Sequence, residues 1–362
     1  MLADAARGFL GDAAPVSHLR ALRDKGETQD SDLWAQMAQM GWAGVLVPET
    51  CGGSEMGHAA AGVLAEEMGK TLVTSPFLST AVIAATALKQ VANDRSKESL
   101  KQIAQGTMTY ALAIDESSKF QPDGTALAAH REGNGFRLEG QKRFVVDGGT
   151  SDRVLVLART GDDKSLTLFD IPFDRSGVSR VARPMIDSRD AVDVIFDRVE
   201  ATGDDILGSV DDAMTVLKPA LEAGQAALAA EMAGLASGAF EMTVTYLKER
   251  KQFGVPIGAF QALQHRAAHL WCETEVTTTA ILHAGRKLDE DPGNATLAVS
   301  LAKARAIQTA QLAVREGVQM HGGIGMTDAF DMGFYMKRAR VAAEWLGDYG
   351  YHAAQVAKLR GF

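Results

Sequence analysis

YLKERKQFGVPIGAFQALQHRAA, residues 246–268, is the stretch on which the reading of this chain turns. Its first residues continue an Ala-rich, apolar-periodic segment that predicts a helix over 217–251. The helix ends at Arg250-Lys251, and Phe253-Gly254 lets the chain turn before a second helix begins near Ala259. A guanidinium at such a turn can grip a diphosphate with two parallel hydrogen bonds. Phe253 offers a flat face on which an adenine can pack. The same two cations would also complement the dipole at a helix C-terminus, so the stretch alone leaves both readings open. A second stretch, VQMHGGIG at 318–325, adds Gln319 as a hydrogen-bonding side chain. Its Gly322-Gly323 pair lets backbone approach a ligand closely, although glycine pairs also simply end helices.

Outward from these stretches the chain divides by pattern. Long apolar-periodic segments at 217–251, 259–288, 294–320 and 329–356, with short connections, predict an antiparallel four-helix bundle over 213–362. Upstream, 110–114, 135–139, 143–146, 153–157, 166–171 and 192–196 are short and rich in β-branched or aromatic residues. They predict a β domain over 107–212, with a hairpin turn at Gly133-Asn134-Gly135. Residues 1–106 read as helical, with an amphipathic helix over 34–40 stopping at Gly41, a loop over 45–53, and helices over 58–69 and 79–90. The expected fold class is α+β, mainly α.

With 362 residues, more than one core is needed. An apolar share of 46% excludes a disordered chain, and no apolar run approaches a membrane span. The net charge of −9 argues against nucleic acid as a partner, because neutralising phosphates needs clustered cations. Cys51 and Cys272 form no disulfide framework and fit a reducing cytoplasm. No secretory leader is read at the N-terminus, and no metal site is expected from the eight histidines.

In this order the stretches resemble the acyl-CoA dehydrogenase family. MGWAGVLVPETCGG (40–53) followed by AEEMGK (65–70) is similar to its N-terminal domain. LEGQKRFVVDGG (138–149) and RVLVLART (153–160) look like its central strands, and DVIFDRVEATGDDILG (193–208) like the exit from its β domain. The two stretches quoted first carry the most specific likeness. The resemblance spans nearly the whole chain and implies FAD chemistry on coenzyme A thioesters. A carboxylate takes the α-proton, flavin N5 accepts the β-hydride, and an electron-transfer flavoprotein receives the electrons. It implies that Arg250, Phe253, Gln319, Gly322 and Gly323 contact the FAD of a neighbouring subunit.

The same comparison exposes departures. Counted from GGIG, the family's Glu-Gly base position falls on Leu346-Gly347, and leucine carries no base. An alternative base position, counted back from Arg250, falls on Gly224. Glu222 stands two residues away, a rotation of about 200° on a helix; Glu344 stands two residues from Leu346. Both are expected to be solvated helix carboxylates, as glutamates mostly are. The ring-facing motif Trp-Ile-Thr-Asn (or Ser) reads Phe144-Val145-Val146-Asp147. The Thr-Glu-Pro loop reads Asp115-Glu116-Ser117-Ser118-Lys119, without its glycines. This pattern resembles the accessory subunit of a heteromeric α2β2 acyl-CoA dehydrogenase, in which a homologous partner carries the base and the FAD is shared. The alternative is a self-sufficient homotetramer with its base relocated to Glu222 or Glu344.

Overall fold

The structure, a computed structural model, describes residues 1–91, 93–161 and 165–362. The N-terminal helices are α1 (Leu2–Ala13), α2 (Val16–Lys25), α3 (Ser31–Gln39), α4 (His58–Thr71), α5 (Ala85–Val91) and α6 (Asp94–Ala104). The strands that follow are β1 (Tyr110–Ala113), β2 (Ala128–Glu132), β3 (Gly135–Val146), β4 (Arg153–Arg159), β5 (Leu166–Pro172), β6 (Val178–Ala182) and β7 (Ala191–Ala201). The long helices are α7 (Met214–Glu249), α8 (Gln261–Glu290), α9 (Thr296–His321), α10 (Met332–Glu344) and α11 (Tyr349–Arg360). A two-stranded hairpin, β8 (Lys251–Gln252) and β9 (Val255–Pro256), separates α7 from α8. The molecule is thus mainly helical, with a central sheet. No helix among the described residues is long and apolar enough to cross a membrane.

One compact unit comprises Leu22–Gly57 and Thr74–Gly224. Its strands run in the order β1-β4-β2-β3-β7-β6, with β5 also paired to β4. The β2–β3 hairpin closes at the expected turn, with Glu132 opposite Gly135. Phe136, Leu138, Val156, Phe169, Val194 and Phe196 fill the core of the sheet. The two strands predicted over 135–146 are one strand, β3, whose register with β7 slips between Lys142 and Val145. That slip is a bulge, and it turns Phe144 to φ +51. β2 and β6 were not predicted. β6 is an edge strand with no buried residue, and β2 buries only Ala129. The predicted helix over 79–90 is in part a π-helix, Phe77–Ala84, every residue of which is buried.

The other unit comprises Met1–Ala21, His58–Val73 and Gln225–Phe362. Here α4 and α7 pack backbone to backbone. A Cβ added at Gly234 would lie 1.8 Å from the Glu66 carbonyl oxygen, and one at Gly69 would lie 2.0 Å from that of Glu231. Buried Arg338 pairs with Glu231 at 3.3 Å and donates to the Val73 carbonyl at 3.2 Å. The predicted helix over 329–356 is two helices, α10 and α11, broken at 345–348. Leu346 (φ +59) and Gly347 (φ +105) both take left-handed backbone there.

Candidate functional site

The candidate cofactor contacts and the ring-facing motifs fall into two regions, one in each unit. The first is the helix-end surface. α7 stops because the chain enters the β8–β9 hairpin, whose two central residues, Phe253 and Gly254, have φ +53 and +83. Positive φ at both central positions is the signature of the hairpin turn that matches strand twist. The Ile257 N–H donates to the Arg250 carbonyl at 2.8 Å and ties the hairpin back to the helix. The Arg250 guanidinium is exposed and pairs with no group among the described residues. The Phe253 ring is 90% exposed.

This helix end meets the end of α9 through stacked rings. Tyr246, one turn before Arg250, lies 4.5 Å from His321, and Phe330 lies 4.7 Å from His321 on another side. His321 Nδ1 and the Gly317 carbonyl are 2.7 Å apart, and burial holds the imidazole below its ordinary pKa. The loop carrying Phe330 is anchored from α2, where Arg20 donates to Asp331 at 2.6 Å and to the Asp328 carbonyl at 2.7 Å. Gln319, Gly322 and Gly323 are exposed beside this stack. Gly322 has φ +65, but Gly323 has neither a positive φ nor any atom within 4 Å of where its Cβ would lie. Nothing in the chain itself requires glycine at 323. The structure leaves Arg250, Phe253, Gln319, Gly322 and Gly323 exposed in the same unit, on two segments joined by the Tyr246–His321 stack.

The second region is the sheet face formed by the loop at 115–119 and the bulge at 144–147. Glu116 is fully employed here. Its carboxylate accepts from the N–H groups of Ala126 (2.8 Å) and Leu127 (2.9 Å) and from Lys142 Nζ (2.7 Å). Lys142 is fully buried, and desolvation pulls its ammonium down to about 8. Asp147, at φ +61, accepts from Ser79 Oγ at 2.5 Å. Val146, which stands where the family's motif has a hydroxyl, is buried.

Leu346, on which the count from GGIG placed the family's base, lies in the break between α10 and α11. Leu346 is 1% exposed. Its carbonyl accepts from Gln225 Nε2 at 3.1 Å and lies 3.2 Å from His352 Nε2. Gly347 cannot carry a side chain, since a Cβ would lie 2.6 Å from Tyr351 Cδ1. Fully buried Lys303 donates to the Ala342 carbonyl at 2.8 Å, where α10 ends, and burial pulls its ammonium down to about 7. Sequence reasoning passed over Lys142, Lys303 and His352, because lysine is rarely buried and no spacing marks them.

The two candidate carboxylates separate. Glu344 is exposed as expected and pairs with Arg340 at 2.7 Å, one turn back on α10. Glu222 corrects the expectation: it is buried, 6% exposed, with Lys218 at 3.8 Å. Of the cysteines, Cys51 is buried and Cys272 exposed, both as thiols. His265 and His269 stand four residues apart on the exposed side of α8, a pair the sequence reading overlooked. Among the described residues no group of three or more His, Cys, Asp or Glu is placed to hold a metal ion.

As a cradle for a dinucleotide the two regions differ. The helix-end surface fits, with an unpaired guanidinium, an exposed ring and open backbone. The sheet face does not, since Lys142 is spent on Glu116, Val146 is apolar and Asp115 adds a buried carboxylate oxygen.

Residues 212–359 match the family model described as acyl-CoA dehydrogenase, C-terminal domain, and residues 1–107 match acyl-CoA dehydrogenase, N-terminal domain. The acyl-CoA dehydrogenase FadE12 of Mycobacterium tuberculosis is 30% identical over 326 residues, covering 86% of this chain and 83% of its own. A variant of the Tcur3481–Tcur3483 steroid acyl-CoA dehydrogenase superposes with a TM-score of 0.88 at 28% identity, over 99% of this chain and 96% of that one. A chain of the ChsE4–ChsE5 complex from Mycobacterium tuberculosis shares the fold, with a TM-score of 0.89 at 22% identity over 99% and 95%.

Proposed function

This chain belongs to the acyl-CoA dehydrogenase family, and from that premise we propose that it is the accessory subunit of a cytoplasmic α2β2 enzyme that desaturates an acyl-CoA thioester between Cα and Cβ. The observation that supports this reading is Leu346, a buried leucine on a hydrogen-bonded turn, where the count from GGIG places the family's base. The three segments 1–106, 107–212 and 213–362 are its functional domains. FAD, when bound, supplies the hydride acceptor. This chain's part is to hold a cofactor lodged in a homologous partner that carries the base. Arg250 pairs with the diphosphate, Phe253 packs on the adenine, Gln319 hydrogen-bonds, and Gly322-Gly323 lets backbone come close. An electron-transfer flavoprotein receives the electrons. The Tcur3481–Tcur3483 and ChsE4–ChsE5 structures are each named for two chains, which supports a heteromeric assembly. The first of them is named a steroid enzyme, so a steroid-derived thioester is the first substrate to assay.

The test compares the isolated chain with the coexpressed pair in acyl-CoA-dependent reduction of a ferrocenium dye. The isolated chain is expected to be slower by about 10²–10⁴-fold, the usual cost of a missing acid–base group. Turnover by the isolated chain at roughly 1–10³ s⁻¹ refutes the reading.

Burial of Glu222 favours a second reading, a self-sufficient homotetramer with its base on α7. Under it the isolated chain is active, and Glu222→Gln abolishes that activity.

A further inference from the structure

We propose that the Asp115 carboxylate keeps a flavin ring off this chain's own sheet face, and so decides which subunit's site the cofactor occupies. The inference rests on the accessory-subunit reading, in which the loop at 115–119 and the bulge at 144–147 correspond to the family's ring-binding face.

Asp115 follows the end of β1, and its carbonyl accepts from the Arg143 N–H at 2.7 Å. Its backbone is thereby fixed to the bulge that carries Phe144. Asp115 Oδ1 is buried with no hydrogen-bond partner among the described residues. The cation that faces it is Lys142, on β3, but that ammonium is committed elsewhere. It donates to Glu116 at 2.7 Å, to the Ile114 carbonyl at 3.1 Å and to Thr125 Oγ1 at 3.4 Å. Glu116, the neighbouring carboxylate on the same loop, is saturated by the contacts described above. The loop is thus left with one buried acceptor that nothing satisfies.

The pyrimidine edge of a flavin is itself rich in acceptors, with two carbonyl oxygens and N1. An ionised, desolvated carboxylate against that edge is repulsive, whereas a protonated one would donate. Burial pushes the Asp115 carboxyl up to about 6, so at neutral pH it is mostly ionised. Admission of the ring is therefore tied to protonation of one side chain.

The experiment is titration of the purified isolated chain with FAD, followed by flavin fluorescence, from pH 5.5 to pH 8. If only protonated Asp115 admits the ring, wild-type affinity falls about tenfold per pH unit above about 6. Asp115→Asn, which keeps the shape and removes the charge, is expected to bind about 100-fold tighter than wild type at pH 8, with no pH dependence. Thermal melts of both proteins check that the fold is unchanged. Weak binding by Asp115→Asn at every pH, or a wild-type affinity indifferent to pH, overturns the role of Asp115 and leaves the accessory-subunit reading standing. One FAD per wild-type chain at pH 8 overturns both.

Discussion

Two turns in the helical unit use the same backbone device for opposite ends. At 253–254 and again at 346–347, a bulky residue with left-handed φ precedes a glycine with positive φ. A left-handed non-glycine residue costs about 1–2 kcal/mol. At Leu346 the chain offsets that cost, because the side chain is buried and the carbonyl is held by Gln225 with His352 beside it. At Phe253 the chain offers little in return. The ring is 90% exposed, with one edge-on contact to Phe260 at 6.0 Å between centroids. Here the left-handed backbone serves the β8–β9 hairpin and leaves the ring free in solvent. The turn at 346 has been absorbed into the interior, and the turn at 253 is presented outward.

The sharpest way to break this contrast is Arg250→Ala. If the outward turn serves a cofactor in the partner, the coexpressed complex loses about 10- to 150-fold in FAD affinity, the equivalent of roughly 1.5–3 kcal/mol for a hydrogen bond to a charged group. The melting temperature of the isolated chain should stay unchanged, because the exposed guanidinium makes no hydrogen bond or ion pair among the described residues. Arg250→Lys should also be poor, since an ammonium lacks the planar fork. Full flavin content in the Arg250→Ala complex removes the chemical basis for a contribution in trans.

The inward turn is tested by pH. Burial, with the Lys303 charge nearby, pulls His352 down to about 4 in the folded chain from an ordinary 6.5. Its folded pKa is depressed, so the unfolded chain binds more protons between these values. The stability held by neutral His352 is complete above about 6.5 and is lost as pH falls toward about 4, by at most about 1.4 kcal/mol per pH unit. Denaturant titrations at pH 7 and pH 5 should show this loss in wild type and a smaller one in His352→Asn. Equal losses in both proteins assign the acid sensitivity to other groups.

The smallest effect separates strain from recognition. Phe253→Asn places Asn-Gly, the preferred pair for this turn, in the hairpin. Folding stability should hold or rise by up to about 1 kcal/mol, while FAD affinity of the complex falls about two- to tenfold with loss of the aromatic packing. A variant that loses stability shows that the ring is part of the fold.

How much of this was legible depended on whether the signal was periodic. The long helices, the end of α3 at Gly41 and the hairpin at 133–135 were read from apolar spacing and glycine, because those signals are local. The break at 345–348 was not, since Leu346 continues the apolar pattern and no proline interrupts it. β6 was missed because an edge strand with no buried residue carries no alternation. The members of the helix-end surface were singled out by residue type, and the structure leaves each of them exposed. The burial of Glu222, Lys142 and Lys303 was invisible, because it is decided by what packs over them from distant parts of the chain.

The crossing of α4 and α7 has a consequence for any mutational scan of this protein. With carbonyl oxygens 1.8 and 2.0 Å from the missing Cβ atoms of Gly234 and Gly69, even alanine forces the two helices apart. A selection for dehydrogenase activity would therefore score both glycines as essential, as strongly as a residue that grips the cofactor. A parallel measurement of soluble protein level would tell the two kinds apart, because only the glycine variants should vanish from it.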